Sequence, residues 1–206
     1  MFQYGYSEKE RELFKKLNSP QKIQDYLNSI PFNFEKRKET CRSPRMLIKF
    51  LNANCIEGAM FAAAVLEFHG QNPFVLDLRT GKKSNDNDHV IAVFRKFGCY
   101  GAISKTNHAV LCYREPVYKT VRELAMSFFH EYFLHNGNKT LREYSELFDL
   151  SKLNLDWRTS EKDLFEIPKI LDETKHYQIL SREQMKNLRK ADAIEIKAGK
   201  LVQYRK

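Results

Sequence analysis

The stretch NCIEGAMFAAAVLEFHG, Asn54 to Gly70, contains the most strongly apolar run of the chain, and its reading decides the fold. Asn54 is a residue type that accepts a backbone N–H at a helix N-cap, and Gly70 suits the left-handed backbone that follows a helix end. A helix over about Cys55–Phe68 is therefore expected. Ala59, Ala62, Ala63 and Leu66 give it a face of small residues on which a sheet can pack closely, a packing role rather than a ligand box. Cys55 falls in its first turn, where unpaired backbone N–H groups favour a thiolate and can also donate to an oxyanion formed on an attacked acyl group.

Downstream the character changes. PFVLDLR, HVIAVFR and YGAIS, ending at Arg79, Arg95 and Ser104, are apolar, β-branched runs separated by Gly and by Asn/Asp clusters, and read as three strands. The link Lys96-Phe97-Gly98 is short enough for a hairpin, which makes the second and third strands antiparallel neighbours. After Pro116, apolar residues of helical spacing run through Val117–Phe133. Thr140 with Glu143, and Ser181 with Gln184, read as capping boxes for helices through Leu147 and over about 182–190. AIEIKAGKLVQY, residues 193–204, alternates around Gly199 and reads as a terminal hairpin. Before the core, Ser7 with Glu10 and Ser19 with Pro20 open two short helices, and Arg45–Leu51 is a short helix at its start. The division expected is an N-terminal helical cover over 1–44, a core over 45–135, and a C-terminal helical extension with the hairpin over 136–206.

Composition narrows the classes. With 206 residues, 42% hydrophobic and 30% charged, 8 Gly and 6 Pro, the chain is neither disordered nor collagenous, and it shows no repeat. Ala59–Phe68 is far shorter than the roughly 20 residues of a bilayer span, so no membrane partner is expected. The start MFQYGYSEKERELFKK has no apolar region behind a basic start, so the expected location is cytoplasmic, with Cys41, Cys55, Cys99 and Cys112 as reduced thiols. The net charge of +9 is interleaved with acids along the chain. Its densest cluster, Lys36–Arg45, lacks aromatic interleaving, so nucleic acid is not the expected partner and a basic nucleic-acid-binding protein stands only as the lesser rival reading.

Cysteine chemistry needs a base. His89, opening a strand after the polar loop SNDND, is the best candidate, ahead of His69, His130 and His135. Asp86 and Asp88 are expected to help keep His89 protonated. Turning at Lys96-Phe97-Gly98 brings Lys105 or Thr106 opposite His89, so Ser104, Lys105, Thr106 and Asn107 are within reach as a third residue. Asn107 is favoured because its amide oxygen accepts from a ring N–H, with Ser104 the weaker acceptor. The candidate site is thus Cys55, His89 and Asn107. Neither Asp86, Asp88 and His89 nor Cys99, His108 and Cys112 has the close Cys or His pairing of a zinc site, and neither a metal nor a cofactor is expected.

This order of helix-borne Cys, strand-borne His and a polar residue ending the next strand resembles the transglutaminase-like superfamily, a papain-like cysteine fold that includes transglutaminases, peptide N-glycanases and arylamine N-acetyltransferases. NCIEGAMFAAAVLEFHG, DHVIAVFR and YGAISKTN carry the likeness, over about residues 45–110. The family usually has an aromatic residue and, four positions on, Asp; here Tyr100 is followed by Ser104. The resemblance implies an α+β protein with a papain-like transglutaminase core, its Cys-bearing helix packed on an antiparallel sheet between extra N- and C-terminal helices. It implies hydrolase or acyltransferase activity on a protein, peptide or small amide or acyl substrate. The missing Asp sustains the rival expectation of an inactive scaffold.

Overall fold

The computed structural model describes residues 4–204; residues 1–3 of the expected cover and 205–206 of the expected extension lie outside them. Four helices come first. Ser7 and Glu10 form the capping box of α1 (Glu8–Lys16), and Ser19 caps α2 (Pro20–Ser29) with Pro in its first turn. Ser43 does the same for α3 (Pro44–Phe50). Asn54 caps α4 (Cys55–Phe68), accepting from the Glu57 N–H. Between Gly58 and Leu66 helix α4 is apolar on every face, which is tolerable only in an interior. It is accordingly enclosed, with Gly58 to Leu66 all buried between α2 and α3 on one side and the sheet on the other.

The sheet contains β1 (Phe74–Thr80), β2 (His89–Lys96), β3 (Cys99–Ile103), β4 (Arg114–Tyr118), β5 (Leu141–Ser145), β6 (Phe148–Asp149) and β7 (His176–Gln178). Their order is β4-β3-β2-β1-β5-β7, with β6 beside the start of β1, and every pairing is antiparallel. Phe97 and Gly98 turn β2 into β3 with φ of 56° and 74°, the two positive values that a two-residue hairpin turn of matching twist requires. The period of two divides the sheet into faces. Val75, Val90, Ala92, Phe94 and Ile103 join the core of α4, while Leu76, Leu78, Ile91, Val93 and Ala102 join that of α5 (Val121–Phe129). Strand β2 is covered on both faces, which is why HVIAVF is a continuous apolar run rather than an alternating one. Helices α6 (Glu166–Glu173), α7 (Arg182–Lys186) and α8 (Ala193–Gly199) complete the α+β arrangement. Among the described residues, no helix is long and apolar enough to cross a membrane.

Three local expectations are corrected. Residues 141–145 are strand β5, not a helix: Glu143 pairs with Arg79 on β1, and the edge of that strand outweighs a local cap signature. Residues 114–118 pair with β3, so the helix expected from Val117 starts at Val121. Residues 193–199 are α8 rather than half of a hairpin, because Asp192 and Glu195 form a capping box at its start. The segment 136–206, expected as a helical extension with a terminal hairpin, thus also contributes β5, β6 and β7 to the sheet.

Candidate functional site

The start of α4 and the start of β2 meet at one end of the sheet. Cys55 is the first residue of α4, and the backbone N–H groups of Ile56 and Val90 point at its sulfur. Val90 follows His89 directly, so the thiol lies against the peptide that carries the imidazole. Cys55 and His89 line one cavity of about 640 Å³, walled by Phe32, Phe34, Tyr132 and Phe133. Such a volume accommodates a small ligand or a peptide side chain.

A buried carboxylate holds the helix start in place. Glu57 accepts from Thr40 Oγ1 at 2.7 Å, from the N–H groups of Arg42 and Asn54 at 3.0 Å each, and from Asn33 Nδ2 at 3.4 Å. Hydrogen bonds to an ionised group are the strong ones, and this set ties α4 to the segment 33–42. One residue on, Gly58 admits the chain that leaves β3: a Cβ there would stand 2.2 Å from Lys105 Cβ. Lys105 is buried, its Nζ donating to the carbonyls of Leu27 at 2.8 Å and Ile30 at 2.6 Å. Burial pulls its ammonium down to about 8.

His89 Nε2 lies 2.8 Å from Ser104 Oγ. That hydroxyl donates its single hydrogen to the Leu111 carbonyl at 2.8 Å. A hydroxyl whose proton is committed can only accept, so His89 carries its own proton on Nε2 and keeps a basic lone pair on Nδ1. Ser104 is in turn locked by Gln24 of α2, which accepts from its N–H at 2.9 Å and donates to its carbonyl at 2.8 Å.

Asn107, the favoured third residue, is not the partner of His89. Its amide accepts from the Tyr204 N–H at 2.8 Å and donates to the Tyr204 carbonyl at 2.9 Å, clamping the C-terminal segment. The reason is register: Ile103 ends β3 opposite Ala92, so Ser104 is the first residue beyond the strand on the face that His89 shares. By Asn107 the chain has moved away. Asp86 and Asp88 are also occupied elsewhere, Asp86 accepting from Thr140 Oγ1 at 2.6 Å and Asp88 from Thr80 N–H at 2.7 Å.

Burial governs the protonation states. It pushes His89 down to about 4, helped by the neighbouring charges of His108 and Arg114. It pushes the Cys55 thiol up, with Asp77 adding to the effect against the opposing N–H groups. The resting pair is a neutral thiol and a neutral imidazole, not the thiolate and imidazolium anticipated from the helix start. Tyr132, whose hydroxyl donates to the Asn87 carbonyl, is likewise raised by burial and by Asp86.

Among the described residues, one acidic group could gather around a cation: Asp77, Asp88 and Asp172, with ligand oxygens within 4.8 Å of one another. The Arg79 guanidinium already serves it, reaching Asp77 at 3.9 Å and Asp172 at 3.4 Å, and His176 Nε2 lies within hydrogen-bond distance of Asp77 at 3.1 Å. Gln24, Glu57 and Tyr132 escaped sequence reasoning. Only Glu57 left a signal, as the residue three positions after Asn54 in a capping box. Compared with known proteins, the chain matches no family model and no curated sequence.

Proposed function

We propose that the protein carries out thiol-dependent acyl chemistry, amide hydrolysis or acyl transfer, on a papain-like core of transglutaminase type. The observation that carries this reading is the chain His89 Nε2 to Ser104 Oγ to the Leu111 carbonyl, which leaves the Nδ1 lone pair unused on a histidine that lines the same cavity as Cys55. As the Cys55 sulfur attacks an acyl carbon, Nδ1 takes the thiol proton. The tetrahedral oxyanion accepts from the Cys55 N–H at the start of α4, the Glu57 N–H being held by the Asn54 cap. The imidazolium gives that proton to the leaving amine as the C–N bond breaks, and a thioester remains on Cys55. Water or a second amine then attacks the thioester, giving its proton to Nδ1, and the thiol is restored. Ser104 stands where the family resemblance calls for Asp; a hydroxyl stabilises an imidazolium less than a carboxylate does, in keeping with the lowered His89. Glu35, Asp86 and Asp88 add negative charge to the cavity lining, which favours a protonated amine as departing product. The substrate class is a protein, a peptide or a small amide, and the free thiols suit a cytoplasmic setting.

The same burial shifts favour a second reading, a scaffold that binds in the cavity without turnover. p-Nitrophenyl acetate separates the two. The catalytic reading expects a burst of p-nitrophenolate with one acetyl group on Cys55, lost in Cys55→Ala and slowed about 10²- to 10⁴-fold in His89→Gln. Acetylation spread over lysines, or equally fast in His89→Gln, leaves only the scaffold.

A further inference from the structure

Away from the Cys55 cavity, a second cavity of about 520 Å³ opens between the β1–β2 loop, the turn before β5 and the end of α7. Lys83, Lys139, Arg142, Arg189 and Lys190 line it, and no carboxylate does. We infer that it is a binding site for a small molecule bearing two or more phosphate groups, independent of the proposed reaction.

The charge there is only partly compensated. Arg189 is paired with Asp192 at 2.6 Å and Lys139 also feels that carboxylate, but Lys83, Arg142 and Lys190 form no ion pair among the described residues. Arg142 is half-buried and held in place, donating to the carbonyls of Leu141 at 2.9 Å and Lys139 at 2.8 Å. Lys139 Nζ donates to the Arg189 carbonyl at 3.2 Å, joining the turn before β5 to the segment after α7. A concave group of like charges raises the local potential for an anion and is itself relieved when one binds. Ser84, Asn136, Asn138 and Thr140 add neutral polar groups between the cations. The size lies within the range of about 300 to 1,000 Å³ typical of small-molecule sites. No aromatic ring lines it, so bases of a nucleic-acid strand find no stacking platform.

Calorimetric titration with inorganic tripolyphosphate tests the inference without reference to activity. Saturable binding below about 1 mM that weakens as salt is added is expected. Lys83→Gln/Lys190→Gln alters two exposed side chains, which leaves folding intact, and should weaken binding roughly tenfold or more. Lys9→Gln/Lys16→Gln, two exposed sites on α1, should leave it unchanged. Absent binding, equal affinity in the Lys83/Lys190 variant, or equal loss in the α1 variant overturns the inference. Citrate binding as tightly as tripolyphosphate overturns its phosphate specificity, and a single-stranded oligonucleotide displacing tripolyphosphate at lower concentration assigns the cavity to nucleic acid instead.

Discussion

Replacing His89 by Gln tests the protonation state on which the proposed chemistry depends. His89 is buried and titrates at about 4, against 6.5 for an unperturbed imidazole. Below pH 6.5 the unfolded chain takes up a proton that the folded protein refuses, so the contribution of a neutral His89 is complete above that value and is lost as pH falls toward 4. At about 1.4 kcal/mol per unit, the loss reaches about 2 kcal/mol at pH 5 and about 3 kcal/mol at pH 4. Other groups titrate in the same window; burial raises Asp77, for example, which acts in the opposite sense. They are common to both proteins, so the difference between wild type and His89→Gln isolates the histidine. Urea unfolding of the two proteins at pH 7, 5 and 4 measures it. A stability difference that shrinks by about 3 kcal/mol from pH 7 to pH 4 is expected. A flat difference refutes the burial argument, and a difference that grows as pH falls means that the folded ring binds its proton more tightly, as an imidazolium beside a thiolate would.

Gly58→Ala forces a Cβ to within 2.2 Å of Lys105 Cβ, which cannot move without its backbone. A loss of about 1 to 3 kcal/mol in urea unfolding is expected, and a loss below about 0.5 kcal/mol contradicts the close approach. Asn107→Ala should hasten proteolysis of the C-terminal segment clamped at Tyr204. It should leave Cys55 acetylation within about threefold of wild type, whereas Ser104→Ala should slow it about tenfold. The reverse ranking restores Asn107 as the partner of His89.

Much of the core was legible because its signals are local. Asn54, Gly70 and the apolar run between them mark α4; the Phe97-Gly98 turn ties β2 to β3. Where the reading failed, two local states were nearly equal and a distant contact chose between them. Thr140 and Glu143 suit a helix start, but β1 offers an open edge across which Glu143 meets Arg79. Asn107 is the better acceptor in isolation, yet Tyr204, nearly a hundred positions later, takes both ends of its amide. Five of the basic residues that look evenly scattered along the chain line one cavity.

Capping, alternation and helical spacing by themselves determined a buried central helix with a cysteine at its start, followed by strands of which the second opens on a histidine, because these signals act over a few residues. Only the tertiary structure decided that Ser104 holds the imidazole and that Nε2 carries its proton. It alone decided that burial leaves the Cys55 thiol and the His89 imidazole neutral, since desolvation depends on everything that surrounds a group and not on its neighbours in the chain.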